Sequence, residues 1–113
     1  MKIENAKAQM RKGVLELCIL SIIAQKEAYP SDIIRKLKES EMIVVEGTLY
    51  PLLTRLKDAG LLQYTWQEST SGPPRKYFQL TDQGHTFLLE LVESWTELVS
   101  AVDQTTKNIF TNE

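Results

Sequence analysis

Cysteine, histidine, proline and glycine are all scarce in this chain of 113 residues, which holds one Cys, one His, 4 Pro and 5 Gly. A single thiol forms no intrachain disulfide and no multi-cysteine zinc site. Set in the apolar stretch Leu17-Cys18-Ile19-Leu20 with no cation adjoining it, Cys18 reads as a small core hydrophobe rather than a redox group. His85 follows Gly84 with no second histidine, cysteine or catalytic motif beside it. It reads as a surface residue in a first helical turn rather than a general base or metal ligand. Glycine-rich phosphate cradles are missing, and the carboxylates are scattered as solvating charges usually are. The expectation is a protein that is not an enzyme and needs neither cofactor nor metal. Long apolar runs are also lacking. The stretch from Leu17 to Leu20 ends at Ser21, far short of the roughly 20 residues that cross a bilayer. Charged and polar residues follow Met1-Lys2-Ile3-Glu4-Asn5 where a signal peptide needs its apolar segment, so a cytoplasmic protein without a membrane span is expected.

What is present is the composition of an ordinary globular domain, 42% hydrophobic and 25% charged. A chain of this size buries somewhat over about 60% of the surface that its unfolded form exposes, which leaves room for a partner chain. The net charge of -2 is unevenly spread. Residues 1–81 carry 12 of the 13 basic side chains against 9 acidic ones, whereas residues 82–113 carry 1 against 6. The first part suits phosphate, and the second faces something else.

Periodicity orders the elements. Ile3, Ala6 and Met10 open a helix that turns apolar almost all round from Val14 to Ala24. Tyr29-Pro30-Ser31-Asp32 starts a second, amphipathic helix, and the β-branched link from Glu41 to Val45 is compatible with a short strand. A third helix spans about Gly47 to Ala59 and ends at Gly60. Its Leu49, Leu52, Leu53 and Leu56 share an apolar face assigned to packing. Gly47, Pro51, Thr54 and Asp58 lie opposite, flanked by Tyr50 and Arg55. From Leu62 the period changes to two, with Leu62, Tyr64 and Trp66 on one side. Ser69 to Pro74 reads as a loop, Lys76 to Leu80 as the returning strand, and Thr81 as the cap of a last helix. There Leu88, Leu91, Trp95, Leu98 and Val102 recur at steps of three and four, with Ile109 continuing the series. Such a stripe seeks another helix.

The fold expected is mainly α with a small β-hairpin. Residues 1–81 form a winged helix-turn-helix and residues 82–113 a long C-terminal dimerisation helix and tail. In that arrangement the third helix enters the major groove and the hairpin touches the flanking backbone. A winged helix can also be a protein-interaction module that binds no DNA, and the acidic pI near 5.5 favours that alternative.

Two blocks bear on the choice. Glu46-Gly47-Thr48-Leu49-Tyr50-Pro51-Leu52-Leu53-Thr54-Arg55-Leu56 and Gly72-Pro73-Pro74-Arg75-Lys76-Tyr77-Phe78-Gln79-Leu80-Thr81 resemble the signatures of PadR-like transcriptional regulators, and Lys57 to Leu62 and Gly84 match in place. The resemblance covers about residues 11–100. It implies a dimeric DNA-binding repressor on a palindromic double-stranded operator, in the family's short form, with the C-terminal helix making most of the dimer contact and a small ligand releasing the DNA. Two positions depart from the family pattern: Tyr29-Pro30-Ser31 replaces a Tyr-Gly-Tyr type of turn, and Val45 stands where a Ser or Thr usually caps the recognition helix.

Given the motif, Tyr50, Thr54 and Arg55 are the candidate DNA contacts of the third helix, Arg55 having the fork that fits a guanine edge. Arg75 and Lys76 beside the Pro-Pro pair are the candidate backbone clamp of the wing. For each the competing reading is solvated surface. Leu88, Leu91, Trp95, Leu98 and Val102 are the candidate dimer interface. Trp95 has two readings, a large interface knob or the wall of an effector pocket. A multidrug-sensing branch of the resembled family carries a tryptophan in a similar Glu-Ser-Trp setting, which implies a planar aromatic small molecule between paired indoles.

Overall fold

The computed structural model describes residues 1–109. Chain order is α1 (Ile3–Gln25), α2 (Pro30–Glu39), α3 (Glu46–Asp58), β1 (Leu62–Ser69), β2 (Gly72–Leu80) and α4 (Asp82–Thr106). This is the expected winged helix-turn-helix followed by a long helix.

The core lies where the second half of α1 meets α2, α3 and the base of the hairpin. Ile19, Leu20, Ile33, Leu37, Leu49, Leu53 and Leu62 are fully buried, each such side chain contributing about 1.5–3 kcal/mol. Leu52 is half-buried against this cluster. The first half of α1 stays outside it, with Ile3 and Met10 exposed. Cys18 is half-buried, and burial raises its thiol pKa above the usual value, consistent with a packing role.

The helix ends are specified locally. Pro30 occupies the first turn of α2, and the Asp32 carboxylate accepts a hydrogen bond from the Tyr29 N–H at 3.1 Å. At the end of α3, Gly60 (φ 82°) lets its own N–H reach the Lys57 carbonyl and the Leu61 N–H reach the Leu56 carbonyl, both at 3.0 Å. α2 ends in the same way with Glu41 at φ 62°, its N–H and that of Met42 bonding to the Lys38 and Leu37 carbonyls. That turn explains why the link from Glu41 to Val45, compatible with a short strand, does not form one. The Met42 N–H closes the helix rather than joining a ladder, and the free edge of β2 is taken by Ala28, which exchanges hydrogen bonds with Phe78 at 2.8 and 3.1 Å.

The hairpin pairs Leu62 with Leu80, Tyr64 with Phe78, Trp66 with Lys76 and Gln67 with Arg75. The loop expected from Ser69 to Pro74 is shorter, since only Thr70 and Ser71 turn and β2 runs through Pro73 and Pro74. An irregularity between Gln67 and Ser69 accommodates the two prolines, which have no N–H to offer a ladder. Trp66 shares a ribbon face with Leu62 and Tyr64 but stays exposed.

Thr81 caps α4 as expected. Its Oγ1 accepts from the Gly84 N–H at 2.9 Å and donates to the Gly60 carbonyl at 2.6 Å. Gly84 is buried against Leu61, whose carbonyl would collide with any Cβ there. The first turns of α4 therefore share the core of residues 1–81. Leu88 departs from its expected place at a dimer interface, because it is buried in that core, and Leu91 is half-buried against it. Beyond Leu91 every residue of α4 is exposed, Trp95, Leu98, Val99 and Val102 among them. The helix ends at Thr106, so Ile109 lies in the turn after it and not on its stripe. Residues 110–113 of the expected tail lie outside the described residues.

Candidate nucleic-acid interface

Three elements converge on one surface groove of about 430 Å³. The start of α2 contributes Ser31, α3 contributes Glu46 and Tyr50, and the wing contributes Trp66, Arg75 and Lys76. Tyr50, Arg75 and Lys76, three of the five candidate DNA contacts, thus meet in one place. Thr54 and Arg55 are exposed further along α3 and do not line this groove.

Helix α3 presents these groups because its leucines face the core. With Leu49, Leu53 and Leu56 buried, Tyr50 and Thr54 are left outward. Its N-terminus begins at Val45 without a side-chain cap, as the hydrophobic residue there requires. Glu46 sets a carboxylate in the first turn, where the helix dipole favours it and where it is an acceptor suited to a base amino group rather than to phosphate.

The two wing cations are mounted on aromatic rings. The Arg75 guanidinium carbon lies 3.9 Å from the ring centroid of Tyr29, and Lys76 Nζ lies 4.6 Å from that of Tyr64 and 5.7 Å from that of Trp66. Tyr64 and Trp66 meet edge to face at 5.9 Å, which completes the Lys76 platform. These are charges held by ring quadrupoles with their donors still available to phosphate oxygens.

Arg55 is placed differently. Its Nε lies 3.4 Å from Glu16 Oε2 on α1. That oxygen is buried and makes no hydrogen bond, so the contact is one of charge alone, and with Arg55 largely exposed it is worth about 0–1 kcal/mol. A guanidinium held toward α1 is less free to reach a guanine edge than the sequence reading assumed.

Glu16, Tyr29 and Trp66 touch the candidate contacts Arg55, Arg75 and Lys76 and are not among the residues expected from the sequence. For Trp66 the signal was present, since pairing Leu62 with Leu80 across the hairpin already sets Trp66 opposite Lys76. The other two meet their partners only through tertiary packing. Among the described residues no group of His, Cys, Asp or Glu side chains is arranged to hold a metal ion, His85 is exposed, and no helix is long and apolar enough to cross a membrane.

A family model described as the transcriptional regulator PadR-like family matches residues 19–90, more than half of the chain. A PadR-like transcription factor from Bacteroides fragilis is 60% identical, with 89% of this chain and 98% of that one covered at a TM-score of 0.76. A PadR family transcriptional regulator from Eggerthella lenta is 31% identical and superposes at a TM-score of 0.85, covering 91% of this chain and 90% of that one. PadR of Bacillus subtilis, solved in complex with operator DNA, is 26% identical over 70% of this chain and 45% of its own, at a TM-score of 0.65. With the winged fold, the groove of wing cations beside α3 and these likenesses together, the chain belongs to the PadR-like family of transcriptional regulators, DNA-binding proteins that are not enzymes.

Proposed function

We propose that the protein is a homodimeric repressor that binds a palindromic operator and is released from it by a planar aromatic small molecule. The observation that carries this reading is the bare second half of α4. From Val92 onward the helix has no buried residue, yet Trp95, Leu98, Val99 and Val102 are apolar. An amphipathic helix with an unpaired apolar stripe is most economically covered by its own copy about a two-fold axis. Two winged domains so joined read two half-sites related by the same axis. Residues 1–81 then act as the reading unit and α4 as the joining unit. Tyr50, Arg75 and Lys76 are the primary DNA contacts, Thr54 is an additional one, and Arg55 is a contact only when it leaves Glu16.

The effector part rests on a cleft of about 590 Å³ between the first half of α1 and the second half of α4, lined by Met10, Val14, Trp95, Leu98, Val99 and Val102. Its volume and apolar walls suit a small aromatic ligand, and the half-exposed Trp95 indole offers a face for stacking. A ligand wedged between α1 and α4 changes the spacing of the two reading units only if it binds one arrangement better than the other.

Light scattering tests the dimer. Leu98→Glu combined with Val102→Glu should yield a folded monomer, and a folded dimer from that variant places the interface elsewhere. In a Trp66→Phe background, where Trp95 is the sole tryptophan, a planar cationic dye should quench fluorescence saturably and compete with DNA. Dye affinity unchanged by Trp95→Ala would reduce the indole to a packing group.

A further inference from the structure

We propose that Tyr29 is a positioning residue for DNA binding, the mount that holds Arg75 of the wing in the pose from which it donates to a backbone phosphate. The inference rests on the reading of Arg75 as a DNA contact, and it adds the group that orients it.

Three observations make Tyr29 a fixed platform. Its backbone follows Ala28, which is bonded to Phe78 of β2 at 2.8 and 3.1 Å. Its N–H is held by the Asp32 carboxylate, and its carbonyl accepts from the Asp32 and Ile33 N–H groups at 3.0 and 3.2 Å. Its ring packs against Tyr77 with centroids 4.9 Å apart. Tyr77 and Arg75 are two residues apart on β2 and so share a face of the ribbon, and Tyr29 lies against both.

How Arg35 and Arg55 are held shows what this mount achieves. Arg35 is shared by Asp32 and Glu39 at 3.2 and 3.5 Å, and Arg55 faces Glu16. A carboxylate that orients a guanidinium occupies the N–H edge that a phosphate needs. A ring does the opposite, taking the flat face and leaving the in-plane donors free. Among the described residues no carboxylate pairs with Arg75, so it alone of these three is both oriented and undersubscribed. Arg75 also stands at the last regular pair before the Pro73-Pro74 irregularity, opposite Gln67, so ordering it orders the base of the wing tip. Without the ring, the long side chain would have to be ordered at the moment of binding, which weakens affinity.

The test is a double-mutant cycle read by fluorescence anisotropy on a labelled mixed-sequence DNA duplex at low salt, a probe that reports backbone contacts. Tyr29→Phe keeps the ring and should bind like the parent. Tyr29→Leu should weaken binding about threefold to tenfold, the range expected for ordering one long side chain at the moment of binding. Arg75→Ala should weaken it at least as much, and in that background Tyr29→Leu should cost nothing further. If Arg75→Ala leaves affinity unchanged, Arg75 does not touch DNA and the clamp reading falls together with the mount. If Arg75→Ala weakens binding and Tyr29→Leu is neutral, improves binding, or costs the same with and without Arg75, the clamp stands and the mount is refuted. Thermal melts accompany each variant, and Tyr29→Met replaces Tyr29→Leu in the cycle if the latter does not fold.

Discussion

At the scale of residues, charge type says less than what each charge is resting on. Arg55 and Arg75 look alike in the sequence, each a cation inside a family-like block, yet one is turned toward a buried oxygen of Glu16 and the other lies on the face of Tyr29. Lys76 lies across two aromatic rings in the same way. Combined Arg75→Ala and Lys76→Ala should therefore flatten the dependence of log affinity on log salt, by about 0.9 for each phosphate contact removed, while leaving sequence preference nearly intact. A titration over salt concentration with the operator and a scrambled duplex checks this, and an unchanged slope removes the wing from the interface. The three candidate contacts on α3 were legible because a helix that buries Leu49, Leu53 and Leu56 must turn its polar residues outward, and the two on the wing because they adjoin the Pro-Pro pair. Their unequal readiness was not, since it depends on Glu16 and Tyr29, which lie at least 39 residues away in sequence from the arginines that they face.

At the scale of elements, most of the order was legible from periodicity and from end signals. Gly60, Thr81 and Pro30 mark helix boundaries by backbone chemistry that requires no tertiary contact. What periodicity left open or misplaced was the extent of the extended segments. Glu41 to Val45 has β-branched residues but no strand edge to join, and Pro73-Pro74 has turn composition but sits in a strand whose neighbour tolerates an irregularity. Strand identity depends on a partner, which local composition does not carry. Gly84 shows the same division. Its match to the family pattern gives no physical reason for a glycine in a helical first turn, but its α-carbon packs against the Leu61 backbone and so fixes how α4 leaves the wing. Gly84→Ala should destabilise the fold by about 1–3 kcal/mol by overpacking. Gly47→Ala, at a helical position with nothing within 4 Å of the new methyl, should stabilise it by about 0.5–1 kcal/mol. Urea denaturation of both variants checks the contrast, and equal effects would contradict the close approach at Gly84.

At the scale of the whole molecule, the uneven charge and the bare helix belong to one design. The basic residues concentrate in the part that carries the wing and α3, while the acidic residues of α4 surround an apolar stripe that the domain leaves uncovered. An overall acidic chain therefore has a basic part without a net positive charge of the whole. The dimension of 61 Å along the longest axis, against 31 and 21 Å across, reflects a helix running out beyond its own core. In the proposed dimer that projection becomes the contact, and the distance between two recognition helices follows from how the α4 copies cross. The most direct measurement is to pass fragmented genomic DNA over the purified protein and sequence what is retained. A dimer reading two half-sites should enrich an inverted repeat whose half-site centres lie one helical turn of about 10 base pairs, or a multiple of it, apart. Enrichment of no sequence, or of a single unrepeated site, would contradict that reading.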